Sequence, residues 1–444
     1  MATKKKQLEL FADAAPTKEF FISMLTRDIG LIRAIIDLVD NCLDGGLRQR
    51  KDGNLKGLTV RIEFDKRSFK IMDNCGGISI NIATNYAFRF GRPAGHKATK
   101  HSVGQFGVGM KRSLFKIGTK FKIKSSTRTS SFSMDEDVKK WEKSDKWTFN
   151  LKDVDDKTKR TADETGTEIV VSGLHSSVKD EFGLETFASR LTEEIEAAHQ
   201  QSLAAGLAIS INKVPLTHRP TELLSSKSLV PGQKKLKFET KTTSPIYAKI
   251  VVGVARSQPA VAGWYVFCNG RMVLEADQSI LTGWGDGAGT RMPKYHNQFA
   301  RFRGFVYFDS DDAGKLPWNT TKTGVDTDSR VYKSVRETML VMMRPVIDFL
   351  NKLDGEKDTP DSQPFTVAVD QAVLNPVKDT KTKAAFVAPK APKRRGKANS
   401  AETGRIAYDK PVDEIERAKE ALGVTSQREV GERTFAYYLE MECD

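Results

Sequence analysis

Apolar positions recur along the chain in two periods, and the switch between them outlines its elements. In LIRAIIDLVDNCLDGG (31–46) they fall at Leu31, Ile35, Leu38 and Cys42, spaced four, three and four, the period of one buried helix face. LTVRIEFDKRSFKIMDN (58–74) alternates apolar and polar residues in two runs around Asp65-Lys66, which predicts a β-hairpin. Strands are predicted at TKFKIKSST, SSFSMDED, KWTFNLKD and GTEIVVSGL, and an amphipathic helix over 181–205. Together these outline an α/β domain over 19–215, after an N-terminal arm of residues 1–18. Strand-like IYAKIVVGVAR, GWYVFCNGRMVLEAD and RFRGFVYFDSD, with a long helix at 329–353, predict a second α/β domain over 216–355. Proline and lysine dominate 356–405, which reads as a basic linker, and 406–444 reads as two short helices for docking or dimerisation. No internal repeat is present.

Composition narrows the class. A length of 444 residues exceeds one ordinary core. With 29% charged and 39% hydrophobic residues the profile is soluble and globular. No run approaches the roughly 20 apolar residues that span a bilayer. The opening residues carry lysines without the apolar core of a secretory signal. Cys42, Cys75, Cys268 and Cys443 lie far apart, against zinc or a disulfide framework and in favour of a reducing cytoplasm. Lysine and arginine exceed aspartate and glutamate by 71 − 57 = 14, which favours a polyanionic partner such as DNA without specifying contact or sequence.

Candidate chemistry begins on the first of these helices. Asp37, Asn41 and Asp44 are spaced four and three, so they leave it from one common face, an arrangement suited to a hard cation and phosphate oxygens. IMDNCGGIS (71–79) ends a strand at Asp73 and turns at Gly76-Gly77, where a carboxylate can accept from an exocyclic amino group and a flat base can approach the backbone. GQFGVGMK (104–111) is a glycine-rich turn opening a helix, an anion cradle. Its GxxGxG spacing is neither a Walker A loop nor a dinucleotide fingerprint. Thr165-Gly166-Thr167 opens the strand EIVVSGL, and LPWNTTKTGVD places Lys322 in a loop of the second domain.

In this order the motifs resemble the GHKL ATPase superfamily of gyrase, the ninety-kilodalton heat-shock chaperone, histidine kinases and MutL, over roughly residues 20 to 355. VDNCLDGG is similar to the family's helix motif, DNCGGI to its adenine-binding turn, GQFGVGMKRS to its lid glycines and TGTEI to its later threonine motif. The subgroup most resembled is the Microrchidia (MORC) type and its bacterial relatives, with YVFCNGRMVLEAD similar to a strand of the MutL transducer domain. The resemblance implies a Bergerat-type α/β sandwich ATPase domain followed by a transducer-like α/β domain and a small helical C-terminal element. It implies ATP and Mg²⁺ as ligands, with Asn41 holding the metal, Asp73 and Thr167 the adenine, and Gly77 the pocket floor. Gly104, Gly107, Gly109 and Lys111 would close over the phosphates, Lys322 would face the γ-phosphate, and Asp37 would activate water.

Two residues depart from the family's pattern. Asp37 stands where the family usually has Glu, about 1.5 Å shorter in reach, so either the water sits closer to the helix or hydrolysis is slow and ATP acts mainly as a conformational clamp. Cys75 stands where the adenine turn often has Gly. The function implied is an ATP-driven, homodimerising clamp acting on DNA, with a possible protein effector and no membrane association. The alternatives are a chaperone-like ATPase acting on protein clients and a nucleotide-sensing subunit with little turnover.

Overall fold

A computed structural model describes residues 15–91, 102–104, 108–239, 244–287, 292–319, 321–356, 363–389 and 406–443. Two compact units divide the chain, 1–391 and 392–444. The first opens with helices α1 (Lys18–Arg27) and α2 (Leu31–Gln49). An eight-stranded sheet follows, built from β1 (Thr59–Phe64), β2 (Ser68–Asp73), β3 (Gly118–Ser126), β4 (Ser131–Asp137), β5 (Lys152–Asp155), β6 (Gly166–Leu174), β7 (Ala208–Ile211) and β8 (Val214–Pro215). Its order is β5-β4-β3-β6-β2-β1-β7-β8. Every pair is antiparallel except β1 with β7.

The alternation in LTVRIEFDKRSFKIMDN becomes the β1–β2 hairpin, with Phe64 opposite Phe69 and Val60 opposite Asp73. Val60, Ile62, Phe69 and Ile71 point into the core that Ile35, Leu38, Val39 and Cys42 of α2 also enter. Two glycines at the end of α2 let it lie against the turn after β2. A Cβ on Gly45 would come within 2.5 Å of the Cys75 carbonyl oxygen. The predicted helix over 181–205 is three, Ser176–Phe182, Glu185–Ala198 and Gln200–Ala204. KWTFNLKD forms a strand only from Lys152 onward.

Next come β9 (Glu222–Ser225) and a five-stranded sheet of β10 (Gly232–Phe238), β11 (Ile246–Val254), β12 (Gly263–Cys268), β13 (Arg271–Asp277) and β14 (Phe302–Asp309). The order is β10-β11-β14-β12-β13, with β12 and β14 parallel. Asn269 and Gly270, both at positive φ, make the tight β12–β13 turn. The helix Arg330–Gly355 buries Val335, Met339, Met343, Val346 and Leu350 in the core.

The linker expectation for 356–405 needs correction where the chain is described. Residues 364–370 are helical, β15 (Val373–Pro376) pairs antiparallel with β9, and Val369, Val377 and Phe386 are buried. Scattered apolar residues anchor a stretch whose lysines and prolines dominate its composition. Unit two has helices Val412–Leu422 and Gln427–Glu442, joined through left-handed Gly423 and capped by Ser426 and Glu429. None of its described residues is buried. Among the described residues no helix is long and apolar enough to cross a membrane.

Candidate functional site

Helix α2 presents carboxylates that are enclosed rather than solvated. Asp37, Asp40 and Asp44 are 6%, 0% and 7% exposed, whereas Asn41 between them is open to solvent. A carboxylate out of water costs several kcal/mol unless partnered, and each of these is. Arg112 donates from Nη2 to Asp37 Oδ2 at 2.5 Å. Consecutive backbone N–H groups of Val103 and Gly104 donate to the two oxygens of Asp44 at 2.6 and 2.7 Å. Burial raises the Asp44 carboxyl above its ordinary range, and those two donors act against that.

Asp40 has the densest surroundings. Lys322 Nζ donates to its Oδ2 at 2.6 Å, while Arg271 Nε and His199 Nε2 stand 3.2 and 3.3 Å from its Oδ1. The latter two approach without hydrogen-bond alignment. Burial alone would raise this carboxyl, but Lys322 first, then Arg271 and His199, hold it well below the usual carboxylate range. Burial works against the Lys322 ammonium as well, yet Asp40 and Asp37 together raise it. Burial lowers His199, with the Asp40 carboxylate acting against that. Lys322 reaches this point from 282 residues away and also lies 3.6 Å from Asp37 Oδ1.

Asn41 fits a hard cation. Its Nδ2 is committed to the Asp37 carbonyl at 2.7 Å, which leaves an accessible amide oxygen on the side of Gly104. A Cβ on Gly104 would sit 3.7 Å from that oxygen and 2.7 Å from Asp44 Oδ2. The described residues hold no group of three or more His, Cys, Asp or Glu able to bind a metal. A cation at Asn41 would therefore take most of its shell from phosphate and water oxygens, as Mg²⁺ does with nucleotides.

The Asp73 end is organised by one hydroxyl. Asp73 is half-buried, accepts from Cys75 N at 2.7 Å, and is paired with Thr167 across β2–β6. Burial raises its carboxyl, opposed by the Cys75 amide and the Cys42 thiol. Gly77 is at φ +67°, and a Cβ there would strike the Ser126 carbonyl at 2.1 Å, so only glycine makes this turn. Buried Ser125 lies 2.9 Å from Thr167 Oγ1 and accepts from Ile78 N at 2.8 Å, tying turn to strand.

Of the glycine-rich turn, Gly107 lies outside the described residues. Gly104 and Gly109 both face α2, and a Cβ on Gly109 would be 3.4 Å from Asp37 Oδ2. Lys111 departs from the expectation drawn for it. Its buried ammonium donates to the carbonyls of Ala87 and Arg89 at 2.8 and 2.7 Å, and the neighbouring Arg112 is the cation turned to α2. Sequence reasoning missed Asp40, Arg112, Ser125, His199, Asn269 and Arg271. Asn269, in the β12–β13 turn, donates to Ser102 O at 3.1 Å, beside the stretch that Asp44 holds. A third carboxylate within the α2 motif was the one available signal for Asp40; the others acquire meaning only through the fold.

Asp37, Asn41, Asp44, Gly104, Gly109 and Lys322 thus converge, with Asp73, Gly77 and Thr167 forming a second group beside the end of β2. No curated protein matches the chain. Residues 29–167, which hold all of these except Lys322, match the family model described as histidine kinase-, DNA gyrase B-, and HSP90-like ATPase, so this part of the mixed α/β chain is similar to GHKL-type ATPase domains and is consistent with their Bergerat fold.

Proposed function

We propose that the protein binds Mg-ATP on α2 and hydrolyses it to ADP and phosphate, using the cycle to drive a dimeric clamp on DNA. The observation that carries the ATPase reading is the arrival of Lys322, from beyond the second sheet, at the enclosed carboxylate face of α2. Asp73 accepts from the adenine amino group, Thr167 supports it, and Gly77 gives the base its close approach. Asn41 would hold the cation, which when bound would offset the charge of the phosphate oxygens. Lys322 faces the γ-phosphate, and Asp37 orients the attacking water and takes its proton. Positioning and positive charge supply most of the rate in such a site.

A second reading, a nucleotide-sensing subunit with little turnover, draws support from Asp37 itself. It is short for this task, and Arg112 already engages one of its oxygens. Steady-state phosphate release from Mg-ATP by the full chain tests the proposal. Turnover that falls in Asp37→Ala while ATP binding persists is the expected result; tight ATP binding with no release above background favours the sensor.

The clamp and its DNA substrate rest on the net charge of +14 and on the MORC and MutL resemblance. The same resemblance assigns closure to residues 104–111; docking or dimerisation by residues 406–444 rests on their two helices, and a reducing cytoplasm on the four scattered cysteines.

A further inference from the structure

One buried charge cluster exceeds what the family reading requires. Asp40 is completely enclosed and meets groups from three other parts of the first unit: His199 at the end of the helix Glu185–Ala198, Arg271 at the start of β13, and Lys322 in the 318–325 loop. Its two oxygens divide the work. Oδ1 faces Arg271 and His199, both rigidly buried, while Oδ2 alone takes Lys322. Lys322 itself springs from a prepared loop. Its backbone is left-handed at φ +55°, its N–H donates to Asn319 O at 3.0 Å, and Trp318 bridges to Val325.

A buried ion cluster is weak evidence for stability, since apolar residues of the same volume often serve as well. It does fix direction. Lys322 has four rotatable side-chain bonds, and a short charge-assisted contact removes most of that freedom. The contact at Asp40 leaves the ammonium 3.6 Å from Asp37, on the side of α2 where Arg112 and Gly109 also face.

We propose that Asp40 is the positioning residue for Lys322, and that the Arg271 guanidinium, 3.2 Å from its other oxygen, holds Asp40 so that the second sheet sets where this ammonium stands. The inference rests on the Mg-ATP reading, in which Lys322 faces the γ-phosphate. Asp40 touches no nucleotide, so its effect runs through Lys322. The second sheet then meets α2 directly through Arg271 and Asp40, while Asn269 donates to the Ser102 carbonyl, next to the Val103 and Gly104 amides that Asp44 of α2 holds.

The test compares Mg-ATP and Mg-ADP affinities of the full chain by calorimetry in wild type, Lys322→Ala, Asp40→Asn and Arg271→Gln. A positioned Lys322 gives wild type a preference for ATP over ADP. Lys322→Ala and Asp40→Asn are expected to weaken ATP roughly tenfold to hundredfold while leaving ADP unchanged, the range of one charge-assisted contact. Arg271→Gln should shift the same ratio by less, and it stands in should Asp40→Asn fail to fold. Loss of the preference in Lys322→Ala but not in the Asp40 or Arg271 variants overturns the positioning role and leaves the ATP reading intact. Equal loss of ATP and ADP in those variants makes the cluster structural only. An unchanged preference in Lys322→Ala overturns the ATP reading of that lysine, and the positioning role with it.

Discussion

Three carboxylates on one helix are given three tasks by their partners. Asp44 holds backbone N–H groups, Asp40 holds cations, and Asp37 holds Arg112 on one oxygen while the other faces Lys322. In the proposed Mg-ATP site, Asp37 is the carboxylate assigned to the attacking water. Removing its carboxylate should therefore leave affinity and take away the chemistry. Asp37→Ala is expected to bind Mg-ATP within a few-fold of wild type and to lose about 10²-fold or more in turnover, the usual range for general-base loss. Phosphate release alongside calorimetry checks this, and undiminished turnover would transfer the base role elsewhere.

At the scale of elements, the helix Gly109–Ile117 shows how neighbouring cations part company. Arg112 faces α2, whereas Lys111 is buried beneath the carbonyls of Ala87 and Arg89. Burial pulls the Lys111 ammonium from its ordinary 10.5 to about 7. Between those values the unfolded chain holds a proton that the folded chain has released. Stability gains from this group as pH rises from about 7 to 10.5, and its penalty is fully present below 7. Chemical denaturation across that window should show a rising contribution in wild type that Lys111→Met removes. The same slope in both would place the titration elsewhere.

Most elements were legible because their periods are unmixed. The helix of α2, the β1–β2 hairpin and β6 lie where apolar spacing puts them. Less legible were short strands such as β9 and β15, which form only by pairing with each other. Of the site, the residues clustered in motifs could be found, including Asn41 and Asp73. Arg271, His199 and Ser125 could not, because each is an ordinary residue of its own element and gains a role only from distant partners. Reading 356–405 by composition hid the apolar residues that fold 363–389 into the first unit.

For the whole molecule, the question is what the positive charge engages. Counterion release makes polyanion binding fall steeply with salt. If DNA is the partner, adding it should raise ATP turnover at low salt, with the stimulation lost as salt approaches a few tenths molar. Turnover indifferent to DNA at every salt concentration would remove DNA from the account and favour protein clients. Either outcome leaves the nucleotide site standing.

The proposed site depends most directly on Asn41, the exposed amide set between buried Asp40 and Asp44, with its nitrogen anchored and its oxygen on the side of Gly104. Calorimetric titration of ATP into the full chain, with and without Mg²⁺, in wild type and Asn41→Ala, asks whether α2 is a nucleotide helix. Mg²⁺-dependent binding in wild type that disappears in Asn41→Ala is the predicted result. Wild-type affinity retained in Asn41→Ala would contradict it.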